Sequence, residues 1–137
     1  MFRKKSMYLR REMPTLAKHE GQWRGEYVHL DLSGRVIDRH ASHLTCRFPD
    51  SGAHPYYQVN RYRWDDGTRE ELHFPATFRD GKIWWDTERI SGSCWEIDSQ
   101  SLMLKWVRKD LPNSYLYEMI QLSRDGERRY RTWHWYQ

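Results

Sequence analysis

Apolar and polar residues alternate with a period of two over much of this chain. From residue 101 to 108, Leu102, Leu104 and Trp106 fall on one parity and Met103, Lys105 and Val107 on the other. Near the C-terminus, Trp133 and Trp135 oppose Thr132, His134 and Tyr136. Such a period sends successive side chains to opposite faces of a strand. The alternating runs are punctuated by Ser33-Gly34, Asp66-Gly67, Asp80-Gly81 and Asp125-Gly126, with polar breaks at Asp98-Ser99 and Pro112-Asn113. Asp-Gly between half-apolar runs signals a tight hairpin, because glycine accepts the positive φ of a type I′ turn. The segments between read as strands over about 22–32, 35–48, 55–65, 68–75, 77–79, 82–87, 92–98, 101–108, 114–123 and 127–136. One helix is expected, over about 9–20, where Pro14-Thr15-Leu16-Ala17-Lys18-His19-Glu20 forms a turn or two before Gly21.

Strands joined in series by tight turns pair with their sequence neighbours and meander antiparallel. Laid open, such a meander leaves two unpaired edges, and closing into a barrel removes them. A two-sheet sandwich needs longer crossovers than this spacing provides. The expected fold is therefore all-β: an antiparallel up-and-down barrel with a short N-terminal helix. At 137 residues the chain fits one domain, taken as 13–137, with a basic leader over 1–12.

Charge sharpens that division. Arg3, Lys4, Lys5, Arg10 and Arg11 stand against Glu12 in the leader, while the remaining basic and acidic residues balance. The leader reads as a solvated tail. Nucleic-acid binding is not expected, since it calls for a basic patch on the fold itself. No apolar run approaches the roughly 20 residues of a membrane helix. The basic start is not followed by an apolar stretch of the secretory type, so a cytoplasmic protein is expected. Cys46 and Cys94 match no zinc or redox spacing and are expected reduced, packed in strands. The aromatic count is high, with 8 Trp, 9 Tyr and 4 Phe. Such side chains fill a core with large rigid area while keeping polar tips, which suits a barrel with a cavity.

After the expected helix comes Gly21-Gln22-Trp23-Arg24-Gly25. It resembles the Gly-X-Trp signature of the lipocalins and the wider calycin superfamily. The resemblance implies that Trp23 opens the first strand and plugs one barrel end. It also implies an arginine from the last strand packed across it, here Arg129 or Arg131 of Arg128-Arg129-Tyr130-Arg131-Thr132. Gly21, Trp23 and Arg131 form the expected closure set. The stretch from Gln22 to Asp38, with Leu32-Ser33-Gly34-Arg35-Val36-Ile37, is similar to the first hairpin of lipocalin-like domains of unknown function and of phycobiliprotein bilin lyases. So is the closing hairpin, with Glu118 in one strand and Arg-X-Arg-Thr in the next. In the lyases these groups face the bilin cavity.

Candidate binding residues follow from strand parity. Glu118 shares a face with Leu116, Ile120 and Leu122. A carboxylate there is costly to bury unless paired, and Arg129 and Arg131 are the candidate partners. Tyr62 and Trp64 share a face with Tyr56, Gln58 and Asn60, which makes Asn60 a polar group in an aromatic wall. Tyr27 and His29 share parity with Trp23, so His29 is a candidate haem or metal ligand if it faces inward. Trp84 and Trp85 are neighbours and must face opposite ways, and the outer one is a candidate homodimer contact. There is no metal-ligand spacing, phosphate loop or nucleophile elbow, so no catalytic residue or metal site is assigned.

Together these features favour a binding barrel for a small hydrophobic or amphipathic, conjugated ligand, held by Glu118, Arg129, Arg131, Asn60, Tyr62, Trp64, Tyr27 and His29. No cofactor is assigned beyond a bilin- or haem-like ligand as a candidate. Two rivals stand beside it. One is chromophore attachment of the lyase kind, or haem chemistry as in nitrobindin-type barrels. The other is a filled barrel serving assembly alone.

Overall fold

Nine strands form one antiparallel sheet in strict sequence order. They are β1 Gly21–Leu30, β2 Val36–Arg47, β3 Tyr56–Arg63, β4 Arg69–Arg79, β5 Lys82–Asp86, β6 Ile90–Glu96, β7 Ser101–Arg108, β8 Tyr115–Leu122 and β9 Arg129–Tyr136. The computed structural model describes residues 2–136, with side chains from residue 5 onward. The sheet curls into a nearly closed up-and-down barrel, lipocalin-like in shape. Alternation sets the faces as expected. Leu102 and Leu104 are buried with Trp106 packed against the core, while Lys105 and Val107 lie outside. Between β4 and β5, Asp80 and Gly81 both take positive φ, 54° and 74°, the pair of left-handed residues that a two-residue hairpin needs.

One expected break is absent. Segments 68–75 and 77–79 are a single strand, β4, running through Pro75. Residues 69–76 pair with β3 and 77–79 pair with β5. Pro75 therefore sits where β4 has a strand on one side only, and a missing N–H costs no ladder bond there. The long strand carries the sheet around the barrel's corner. At Gly92 of β6, an added Cβ would lie 2.4 Å from the Trp106 Cβ and 2.5 Å from the Lys105 carbonyl oxygen. The absence of a side chain lets β7 approach.

An odd number of antiparallel strands leaves the first and last running the same way. Backbone closure would need a parallel pair, and among the described residues no ladder joins β1 to β9. Side chains close the seam instead. Trp133 packs edge-on against Tyr27 at 5.2 Å and against His29 at 5.3 Å between ring centroids. Arg131 of β9 donates to the Tyr27 hydroxyl.

The N-terminus departs from expectation. Two helices, α1 Phe2–Glu12 and α2 Pro14–Ala17, replace the single helix over 9–20. Pro14 lacks the N–H that would continue α1 and has the fixed φ that suits the start of α2. The basic segment is not a solvated tail, because Ser6 and Leu9 of α1 are buried. The Ser6 hydroxyl meets the Pro49 and Pro55 carbonyls, and Leu9, Met13 and Leu16 join the core cluster. The basic side chains of the visible last turn face outward, where Arg10 grips Glu20 through two bonds of 2.5 and 2.6 Å. Burying a side chain such as Leu9 contributes about 1.5–3 kcal/mol. On the β6–β7 side, the Leu16 N–H donates to Glu96 at 2.8 Å and the Thr15 hydroxyl to the Asp98 carbonyl at 2.7 Å. The helices thus stop one end of the barrel.

Trp84 and Trp85 face opposite ways. Trp85 is buried toward the lumen, and Trp84 lies outside under the Arg79 guanidinium, 4.0 Å from its ring centre. Cys46 and Cys94 are both buried and unbridged. Among the described residues, no helix is long and apolar enough to cross a membrane.

Candidate functional site

The barrel encloses a cavity of about 280 Å³. Leu16 and His19 form its floor beside the helices, and Glu70, Arg89, Arg108 and Trp135 line it at the other end. Glu70 and Arg89 are about 40 % exposed and stand 3.8 Å apart, so this end opens to solvent. All eight candidate ligand residues, Tyr27, His29, Asn60, Tyr62, Trp64, Glu118, Arg129 and Arg131, line the same space. Gly21 and Trp23 do not.

The inner face of β3 carries a ladder of side chains two residues apart. The Tyr56 hydroxyl donates to Gln58 Oε1, Gln58 Nε2 to Asn60 Oδ1 and Asn60 Nδ2 to the Tyr62 hydroxyl, each at 2.8 Å. The alternation of a single strand supplies this geometry, since residues i and i+2 stand side by side on one face. Each buried amide is thereby satisfied, which removes the cost of dry polar burial. Burial, followed by the neighbouring Tyr27, raises the Tyr62 phenol well above its usual range, so its proton stays in place at neutral pH.

Across the lumen, Glu118 is 2 % exposed and Arg131 donates to it from the paired strand. Burial alone works against a charged guanidinium. The Glu118 carboxylate and the Tyr27 and Tyr62 oxygens override it and hold Arg131 above its ordinary pKa. The closure set is rearranged accordingly. Arg131 lies against Tyr27, 5.2 Å from its ring centre, while Trp23 donates its indole N–H to the His19 carbonyl at 2.9 Å. Arg129 donates from Nε to His19 Nδ1 at 3.0 Å. Trp23 thus latches the helix-to-strand junction, and the two arginines of β9 serve His19 and Glu118.

Three residues that strand parity left unassigned complete the site. Asp38 and His40 lie two apart on β2, opposite His29 and Tyr27 of β1. His40 Nδ1 faces Asp38 Oδ2 at 2.7 Å, and the Trp64 indole N–H donates to Asp38 Oδ1 at 2.8 Å. A carboxylate accepts on both oxygens, so Nδ1 carries the ring proton. In the neutral tautomer Nε2 is then an acceptor. It is buried without a partner. His40 is flanked by Trp64 at 4.5 Å, Tyr62 at 4.9 Å and Tyr27 at 5.4 Å. Its parity with Leu44 and Cys46 was the available signal.

His19 is the third. It is fully buried, and its pKa is driven down to about 3, first by burial and then by Arg129, Arg131 and Lys18. The ring is neutral at pH 7. With Nδ1 accepting from Arg129, its proton sits on Nε2, and that N–H too is buried without a partner. Strand alternation gives no information about a residue in the link between helix and strand. His29 lines the mouth, its pKa lowered mainly by burial. No group of three or more His, Cys, Asp or Glu among the described residues is placed to hold a metal ion.

Comparison of the chain with protein-family models, with curated proteins and with solved structures finds no match. Fold and site define a class by shape: a nearly closed, nine-strand antiparallel barrel with an aromatic-lined interior.

Proposed function

We propose that the protein is a binding module for a compact amphipathic molecule with an aromatic or otherwise conjugated body, held inside the barrel. The observation that carries this reading is the open cavity bordered by two buried ring nitrogens with no partner of their own, on His19 and His40. Unpaired buried polar atoms are uncommon in folded proteins and are satisfied by water or a ligand where one is held. The lining is mostly apolar, with a few convergent polar groups, as small-molecule sites are. Its size supports a ligand of one or two rings, the space of roughly nine waters at about 30 Å³ each. A tetrapyrrole would protrude well beyond the mouth, so the bilin and haem readings draw less support. The two unbridged cysteines support placing the protein in a reducing compartment.

The test is titration of the full chain with 2-naphthol, a neutral compact aromatic, followed by NMR of the tryptophan indole N–H groups. Saturable shifts at Trp64 and Trp133 are expected, and Leu72→Trp, which fills the lumen, should abolish them. Shifts confined to the outward-facing Trp84, or equal binding by the Leu72→Trp variant, would reject the interior site.

A further inference from the structure

The charge and polarity of the cavity are not the same at its two levels. At the floor, Arg129 and Arg131 stand near two carboxylates: Glu118, which is taken by Arg131, and Glu96, which accepts from the Leu16 N–H. Arg129 has no carboxylate within 4 Å among the described residues, and its one hydrogen bond goes to a neutral imidazole. Its side chain lines the cavity beside the buried His19. On that same imidazole, the Nε2 proton has no acceptor. The floor thus offers a cation with no ion-pair partner and an idle donor, each complementary to an anion.

One level up, the sign reverses. His40 turns Nδ1 to Asp38, and its Nε2, an acceptor in the neutral tautomer, is buried without a partner among the rings of Tyr27, Tyr62 and Trp64. That position is complementary to a hydroxyl or N–H donor.

The separation of the two levels can be read from the strands. His40 pairs with Tyr27, and Tyr27 packs on Trp133. Trp133 is four residues beyond Arg129 on β9, about 13 Å at about 3.3 Å per residue. Two hydrogen bonds of about 2.8 Å each leave about 7–8 Å for the ligand itself. One aromatic ring with a substituent at each end spans that distance.

We infer that the cavity takes a small planar aromatic acid with its carboxylate at Arg129 and a hydroxyl or N–H donor, at the opposite end of the ring, on His40 Nε2. This rests on the interior-binding reading above and names the ligand's chemistry. Aromatic walls hold the ring, the floor neutralises the acid, and the Asp38–His40 pair reads the far substituent. Glu118 and the β3 ladder, already satisfied, take no direct part.

Calorimetric titration of the full chain at pH 7.5 tests it with three probes: 4-hydroxyphenylacetate, its neutral amide, and 4-methoxyphenylacetate, which lacks the donor. The hydroxy acid should bind about ten- to a hundredfold more tightly than either relative, the range expected when a buried charged or polar group is left unpaired. Arg129→Gln should erase the preference for acid over amide and keep that for hydroxyl over methoxy. His40→Phe should do the reverse. A barrel merely loosened by substitution would lose both preferences together, and that result overturns the inference. Equal binding of all three probes to the unaltered protein also overturns it. If 2-naphthol binds inside and the hydroxy acid does not compete with it, the ligand class is wrong and the interior site stands. If neither binds, both fail.

Discussion

Arg131 of the last strand donates to the Tyr27 hydroxyl of the first strand and, through Nε, to Glu118. One guanidinium therefore joins three strands across a seam that has no backbone ladder. The seam is where the barrel should open most readily. Backbone amides along the unpaired edges of β1 and β9 are exposed to exchange without disrupting a ladder, whereas β3 and β6 have strands on both sides. Native-state hydrogen exchange should show weaker protection on alternate residues of β1 and β9 than on β3 or β6. Uniform protection across the four strands would mean that the ends are paired after all.

The same guanidinium neutralises a carboxylate that is almost wholly buried. Arg131→Met should cost about 3–5 kcal/mol, since it leaves Glu118 buried and unpaired. The double variant Arg131→Met with Glu118→Leu should recover a large part of that loss, because an apolar pair needs no desolvated charge. Urea unfolding of the two single variants and the double variant measures the coupling. Additive losses would show that the two side chains act independently.

Most of this architecture is visible in the sequence because period-two alternation and Asp-Gly turns are local signals. Glu118 stood out as a carboxylate among Leu116, Ile120 and Leu122, and the arginines two apart on β9 had to share its face. What alternation does not encode is contact between distant elements. Arg131 pairs with Tyr27 rather than Trp23 because β1 and β9 meet side by side without a shared ladder, so no register could be read. His19 belongs to the link between α2 and β1 and has no strand parity. His40 had parity, but its importance depends on Asp38 and Trp64, the latter 26 residues from Asp38. The helix of the basic segment was hidden by its charge: among its described side chains, Ser6 and Leu9 are the buried ones, on one stripe.

Close strand approach at Gly92 gives a paired prediction. Gly92→Ala places a Cβ within 3 Å of backbone atoms of Lys105 and Trp106, so β7 must shift. A loss of about 1–3 kcal/mol is expected for overpacking of this kind. Gly25→Ala is the control, since nothing lies within 4 Å of its added carbon, and alanine should be neutral or slightly stabilising there by reducing backbone freedom in the unfolded chain. Thermal unfolding of both variants separates a steric requirement for glycine from a general preference for it.

The buried, neutral His19 makes stability depend on pH in a defined direction. Its pKa is about 3 in the folded protein and about 6.5 in an unfolded chain. Between these values the unfolded state binds a proton that the folded state refuses. The stabilisation is therefore complete above about pH 6.5 and is lost progressively as pH falls toward 3, by about 1.4 kcal/mol for each pH unit within the window. Carboxylates such as Asp38, held below the ordinary range, add to the loss only at the acidic end, below about pH 4. His29 and His43, also lowered, contribute in the same direction. Urea unfolding of the parent and of His19→Asn from pH 4.5 to 5.5 separates His19 from the other groups, which the two proteins share. There, His19→Asn should be less stable than the parent at pH 7 and lose stability more slowly on acidification, with a slope lower by about 1.4 kcal/mol per pH unit. An unchanged slope would mean that this imidazole takes up its proton in the folded barrel, and the idle donor at the cavity floor would then be a second cation.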